Sequence, residues 1–503
     1  MMRKNILQYL EQTALRTPDK CAFSDGRDSM SFSALLAASR AIGTALLQQG
    51  LSGEPVAVFM NKHPSTMAAF FGVIYAGCHY VCLDAAMPDE RIRAILDNLS
   101  ARAVIYDARN RKRAEAFSLP CALSYDEAAS AETDEVALQA VRERQIDTDP
   151  IYVVFTSGST GVPKGVVACH RSVIDYTESL CEALGFDEST VFGNQTPLYF
   201  DAPLKEIMPT LKLGATTYFI PKMLFSFPVR LIEYLDEHHI NTICWVVSAL
   251  VQISSLGALE NHAPKHIHTV AFGSELFPRA QYELWRAALP DARFFNLYGP
   301  TEATGMSCYW YADRTLGENE PIPVGRPFEN TAIHLLRDDG TEAAWGEEGE
   351  NCIRGTCVTM GYYNNEEKTD EAFVINPLRR AYRERIYRTG DMGRYNEQGE
   401  LVFLCRRDSQ IKHMGHRIEL GEIEAAAARA DGVRRACCVY DTENKRIGLF
   451  YVGDCEQAAL MQTLASYLPR YMLPAVCERL SVMPLTDNGK LDRRGLRERL
   501  CRS

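Results

Sequence analysis

The stretch YVVFTSGSTGVPKGVV, residues 152–167, decides how this chain is read. An apolar run leads into Thr156, Ser157, Gly158, Ser159, Thr160 and Gly161, then Lys164 and Gly165, and a second apolar run follows. Small residues leave backbone N–H groups open to a polyanion, hydroxyls add donors and a lysine adds charge, so the pattern predicts a strand running into a loop that grips a triphosphate. A flexible linker of this composition would be polar on both flanks, and here both flanks are apolar. Gly-x-x-x-x-Gly-Lys-Ser/Thr is not met, and no Gly-x-Gly-x-x-Gly follows a strand, so neither a P-loop nor a dinucleotide site is indicated.

Outward from the loop, strand and helix candidates alternate. PVAVFMN (55–61), HYVCLD (79–84) and RAVIYD (102–107) read as strands, with helices over 64–77 and 88–99 between them. The rhythm resumes in IYVVFT (151–156), ATTYFIP (215–221), NTICWVV (241–247) and HTVAFGS (268–274). This is the βαβ signature of largely parallel sheets. From about 320, glycine-punctuated short strands suit a small distorted barrel. Residues 408–503 carry 15 Lys+Arg against 13 Asp+Glu, whereas the whole chain has net charge −11, so the carboxyl-terminal hundred residues read as a separate small unit.

At 503 residues, with 46% hydrophobic and 24% charged residues, the chain can bury large cores. Its acidity argues against a dedicated nucleic-acid binder. The amino end lacks the apolar core of a signal peptide and no window is long enough to span a membrane, which predicts a cytoplasmic protein. The sixteen cysteines are scattered without a Cys-x-x-Cys pair and read as buried reduced thiols.

The loop resembles the signature of the adenylate-forming superfamily, which includes acyl-CoA synthetases and nonribosomal peptide synthetase adenylation domains. Further segments follow in that family's order: FFNLYGPTEAT (294–304), YRTGDMGRY (387–395), FLCRRDSQIKHMGHRIELGEIE (403–424) and LTDNGKLDRR (485–494). The resemblance implies a large α/β domain, residues 1–404, of stacked, mostly parallel sheets plus the small barrel, and a small mobile α+β domain, residues 405–503. It further implies ATP and Mg²⁺, with Asp408 as the hinge that brings Lys490, or else the 412–417 stretch with Gly415, to the site.

Carried onto this sequence, the resemblance assigns Thr156, Ser157, Gly158, Thr160, Gly161 and Lys164 to the phosphates. Asn296, Leu297, Tyr298, Gly299, Pro300 and Thr301 go to the nucleotide, with Tyr298 offering a flat face and Asn296 an amide edge to adenine. Glu302 is a hard oxygen ligand of the kind Mg²⁺ takes. Asp391 would accept from the ribose hydroxyls beside Arg406, preceded here by Cys405 where the family has glycine. Lys490 would be catalytic, its compact charge suited to a developing anion.

LYFDAPLKEI (198–207) resembles the segment that carries an aspartate for a substrate ammonium, and Asp201 occupies that place; a helix cap is the other use of such an aspartate. Further pocket positions are Ala202, Lys205, Cys244, Val270, Phe272, Leu297, Gly305 and Met306, with Phe272 and Leu297 filling space. Lys205 reads either as the partner of a polar or carboxylate-bearing substrate or as a pair with Asp201 on one helix face. The favoured expectation is an amino-acid ligase that loads a separate phosphopantetheine carrier protein, similar to stand-alone adenylation enzymes and D-alanine carrier-protein ligases. An acyl- or aryl-CoA synthetase and a silent binding relative are the alternatives. Arg434, Arg435, Lys445 and Arg446 give the small domain a basic patch for an acidic carrier.

Overall fold

Unbroken apolar runs mark strands covered on both faces, and PVAVF, AVIY, TICWV and TVAFG form strands buried along their whole length. The computed structural model describes residues 3–158, 163–318, 320–407, 410–485 and 491–502, with Asn261 described in its backbone alone. Its seven-stranded sheet runs, in spatial order, Gly361–Tyr362, Lys164–Cys169, Pro150–Thr156, His79–Cys82, Pro55–Phe59, Ala103–Tyr106 and Cys121–Ser124. The pairings from Pro150–Thr156 to Cys121–Ser124 are all parallel.

A nine-stranded sheet is parallel from Arg293–Tyr298 through Thr269–Gly273, Thr242–Val246, Val191–Asn194 and Thr216–Phe219 to Cys21–Ser24. Antiparallel strands close its two edges. The glycine-punctuated region forms a five-stranded antiparallel sheet of Thr331–Leu336, Gly349–Gly355, Arg385–Tyr395, Phe373–Ile375 and Leu401–Arg406.

Two compact units result. The first comprises Met1–Asp84, Ala101–Val154 and Val166–Arg407. One core cluster joins Phe23, Val56, Phe70, Tyr176, Leu204, Cys244, Leu297 and Met306, and a second joins Trp245, Val270, Phe272, Trp285 and Phe294.

The second unit comprises Ala85–Ser100, Phe155–Gly165 and Asp408–Ser503. Its antiparallel pair Val433–Asp441 and Arg446–Gly453, with Val476–Arg479 added in parallel, packs against helices Leu420–Ala427, Gln457–Tyr467 and Arg493–Arg502. A hairpin pairs Gln410–His413 with His416–Glu419 across Met414 and Gly415. Both turn residues have positive φ, 52° and 78°, the two-residue turn whose twist matches a hairpin.

Every cysteine is a free thiol, but Cys21, Cys82, Cys121 and Cys477 are only half-buried and Cys405 and Cys501 are exposed, a correction to the reading of all sixteen as buried. No helix among the described residues is long and apolar enough to cross a membrane.

Candidate active site

In open α/β sheets the ligand crevice lies beyond the carboxyl ends of the parallel strands. The strand Arg293–Tyr298 ends there with Asn296, Leu297 and Tyr298, and the chain turns through Gly299 and Pro300 into a single 3₁₀ turn, Thr301–Ala303. Gly299 is required by close approach, because a Cβ there would lie 2.5 Å from the Met306 Cα. Gly305, at φ +90°, directs its vacant Cβ position to within 3.8 Å of Asp201 Oδ2 and 4.0 Å of the Tyr176 ring. That space is bounded by Asp201, Tyr176, Gly305 and the Thr301 turn.

Asp201 lies in the turn before the helix Leu204–Pro209, and its side chain does not cap that helix. Burial pushes its carboxyl above the usual range, while the Thr301 hydroxyl and the Lys205 charge pull it back and Glu302 adds to the rise. Lys205, buried on the helix, makes no ion pair with Asp201 among the described residues, which corrects the one-face pairing expected from spacing. The two differ in kind of backbone: only Lys205 is helical.

Glu302 is fully buried, with Tyr362 Oη donating to its Oε1 at 2.7 Å. Its backbone oxygen accepts from the Thr359 N–H and hydroxyl, both at 2.9 Å. A carboxylate with one oxygen oriented by a phenol fits the hard-donor chemistry of Mg²⁺.

Tyr298 is tied to Asp391 through its hydroxyl. Its ring packs with Ala303, Cys308, Val324 and Ile353, and its hydroxyl donates to Asp391 Oδ2 at 2.6 Å and accepts from Asn351 Nδ2 at 3.2 Å. Burial and the Asp391 charge push that phenol far above its usual range. Arg406, paired across the sheet with Asp391, donates to Asp391 Oδ1 at 2.5 Å and to the Thr389 carbonyl at 3.1 Å. Asn296 donates from Nδ2 to the Pro323 carbonyl at 2.7 Å.

Strand register corrects the substrate pocket. Cys244, Ala271 and Phe295 are in register across three strands and share the first core cluster with Leu297 and Met306. Val270 and Phe272, offset by one, join the second cluster, where the Phe272 ring meets Phe277 at 5.0 Å and Tyr282 at 6.0 Å. Successive strand side chains point to opposite faces, so Phe272 does not fill the space beside Cys244.

The described loop residues belong to the second unit. Thr156 Oγ1 donates to the Lys164 carbonyl at 3.4 Å, Ser157 Oγ donates to the Arg417 carbonyl at 3.0 Å and accepts from Glu419 N at 3.1 Å, and Gly158 N donates to Glu422 Oε2 at 3.2 Å. Lys164 lies 3.9 Å from Glu419 Oε1, and Glu422 also pairs with Arg91. Thr160, Gly161, Asp408 and Lys490 lie outside the described residues.

The family of AMP-binding enzymes matches residues 10–363. The chain belongs to this family. It is 31% identical over 510 residues to tyrocidine synthase 1 of Brevibacillus parabrevis, covering 98% of this chain and 45% of that protein. It is 30% identical over 498 residues to the L-proline:L-prolyl-carrier protein ligase of Streptomyces coelicolor, covering 94% of this chain and 92% of that one. Among the peptide synthases it matches first, it spans 6–45% of their length. A solved NRPS protein containing adenylation and PCP domains shares the fold, with a TM-score of 0.84 at 24% identity over 98% of this chain and 84% of that one.

AMP-binding enzymes use ATP, and several residues that shape this enzyme's site carried no signal in the motifs. Tyr362 orients Glu302 from 60 positions away. Asn194 and Glu206 join Lys205 below the pocket: Asn194 Nδ2 donates to Glu206 Oε2 at 3.2 Å. Lys62 Nζ donates to the carbonyls of Asn194 and Gln195 at 3.0 and 3.2 Å. The pair of charged neighbours 205 and 206 on one short helix was the available hint of that buried group.

Proposed function

We propose that this AMP-binding enzyme activates an α-amino acid as its aminoacyl-adenylate, releasing pyrophosphate, and passes the aminoacyl group to the phosphopantetheine thiol of a carrier protein. The observation that carries the reading is Asp201, a carboxylate held in a buried setting without a capping role and hydrogen-bonded by Thr301, the neighbour of Glu302. A substrate ammonium is the group that completes such a site, by a charge-assisted hydrogen bond.

In this reading the substrate ammonium sits on Asp201 and its carboxylate points toward the Thr301–Glu302 turn. The ribose hydroxyls donate to Asp391, whose position is set by Tyr298 and Arg406. The phosphates lie on the Thr156–Lys164 loop, and Mg²⁺, held by Glu302, would neutralise their charge. Attack of the carboxylate on the α-phosphorus forms the acyl-phosphate bond and breaks the bond to pyrophosphate. Lys490 stabilises the charge that develops at both reactants. Residues 1–404 then act as the adenylation core, with 405–503 moving about Asp408 between the two half-reactions.

ATP–pyrophosphate exchange over L- and D-amino acids tests the reading, with coenzyme A and holo-carrier compared as acceptors. Exchange with amino acids and loading of the carrier supports it. Exchange with deaminated or aryl acids alone, and efficient thioester formation on free coenzyme A, favours the acyl-CoA alternative instead.

A further inference from the structure

Lys205 has no part in the chemistry above, yet it is only 4% exposed. Among the described residues its ammonium makes no hydrogen bond and no ion pair. A cation buried without a partner is costly, and proteins retain one where something else supplies the anion. The groups that feel its charge locate it: Asp201, Glu206 and the buried Cys244 thiol. Tyr176 feels Cys244, Asp201 and Glu206 in turn, and lies with Asp201 beside the open Cβ position of Gly305. Lys205 therefore stands on the wall of the space that begins at Asp201.

The local anions do not balance it. Glu206 accepts from Asn194, burial pushes its carboxyl up to about 7, and the charges of Lys205 and then Lys62 pull against that rise. Glu206 is thus a weakened counter-charge that makes no hydrogen bond or ion pair with Lys205, and Asp201, the other carboxylate that feels Lys205, is taken by the substrate's own ammonium once it binds. This last step rests on the proposed amino-acid function. Lys205 is then left facing the side-chain end of the substrate without a paired carboxylate. A neutral side chain would leave Lys205 unpaired there, and a basic one would add a like charge beside it.

We infer that the substrate is a dicarboxylic α-amino acid, whose α-ammonium pairs with Asp201 and whose second carboxylate pairs with Lys205. Gly305, with no side chain of its own, leaves the space beside Asp201 and Tyr176 open for the substrate's chain.

The test is pyrophosphate exchange by the wild-type enzyme with aspartate, glutamate and 2-aminoadipate against asparagine, glutamine, norvaline and lysine. One acid is expected to exceed its own amide by about 100-fold or more in kcat/KM, the scale on which a buried polar site rejects an analogue that leaves it unpaired. Lys205→Met should lower that acid by about the same factor and move the acid-to-amide ratio toward the amide, and Lys205→Arg should restore part of the preference. The ATP-induced rise in thermal midpoint checks that each variant is folded; should Lys205→Met not fold, the wild-type ratio decides alone. Preference for neutral or basic amino acids, or an unchanged ratio in a folded Lys205→Met, overturns this inference and leaves the amino-acid function standing. Exchange with no amino acid overturns both.

Discussion

Asp201→Asn removes one negative charge while keeping the shape of the side chain and an oxygen for the Thr301 hydroxyl. In the wild type, burial raises the Asp201 carboxyl, and Thr301 and Lys205 lower it again. A substrate ammonium arriving there should stabilise the ionised form further. Replacing the carboxylate by an amide leaves that ammonium buried without its counter-charge, which costs about 3–5 kcal/mol. At ~1.4 kcal/mol per factor of ten, kcat/KM for the amino acid should fall about 10²–10³-fold or more. KM for ATP should stay within about threefold, since the nucleotide contacts assigned to Asp391 and the phosphate loop are untouched. Exchange kinetics with the best amino acid and with its deaminated analogue separate the terms, because the analogue has no ammonium to lose. The pH profile adds a second readout. A raised carboxyl pKa means that the neutral form gains as pH falls, and the neutral form cannot pair with an ammonium, so wild-type kcat/KM should decline toward acid through that raised value. The Asn variant should lack this limb. If the deaminated analogue is used as well as the amino acid by wild type, or if Asp201→Asn costs no more for one than for the other, Asp201 is not the ammonium's partner.

Tyr298→Phe removes the donor on Asp391 Oδ2, a hydrogen bond to a charged group worth about 1.5–3 kcal/mol, so KM for ATP should rise about 10–100-fold with little change in KM for the amino acid. Tyr362→Phe frees one oxygen of Glu302 from its orienting phenol; the Mg²⁺ concentration for half-maximal exchange should rise about tenfold, read from a metal titration at fixed ATP. His170 is fully buried, accepts from the Ile6 N–H at 3.2 Å, and is pushed by burial, and then by the Arg142 charge, from 6.5 to about 3. Its folded value is depressed, so its stability is complete above 6.5 and is lost as pH falls toward 3. Urea midpoints between pH 6 and 4.5 should carry about 1.4 kcal/mol per pH unit from this residue, a slope that His170→Gln removes.

Much of the fold was written locally. The strands Pro55–Phe59, Ala103–Tyr106 and Thr242–Val246 were legible because a both-faces-buried strand needs only an unbroken apolar run, whatever its neighbours. The residues around Tyr298, Glu302 and Asp391 were legible because each motif is a short consecutive stretch. What those residues do to one another was not. Tyr298 and Asp391 are 93 positions apart, and only the fold brings the phenol to the carboxylate it supports. Whether Phe272 or Ala271 faces Cys244 depends on register, since one step along a strand reverses the face. Lys62, Asn194 and the neighbours Lys205 and Glu206 come from three separate segments, and beyond that charged pair nothing in them marks a shared buried charge. Near-neighbour patterns determine which elements form, because backbone conformation and side-chain periodicity are local properties. The partners of each buried polar group were decided by the tertiary structure alone, because they depend on which strands become neighbours when the whole chain buries its apolar surface.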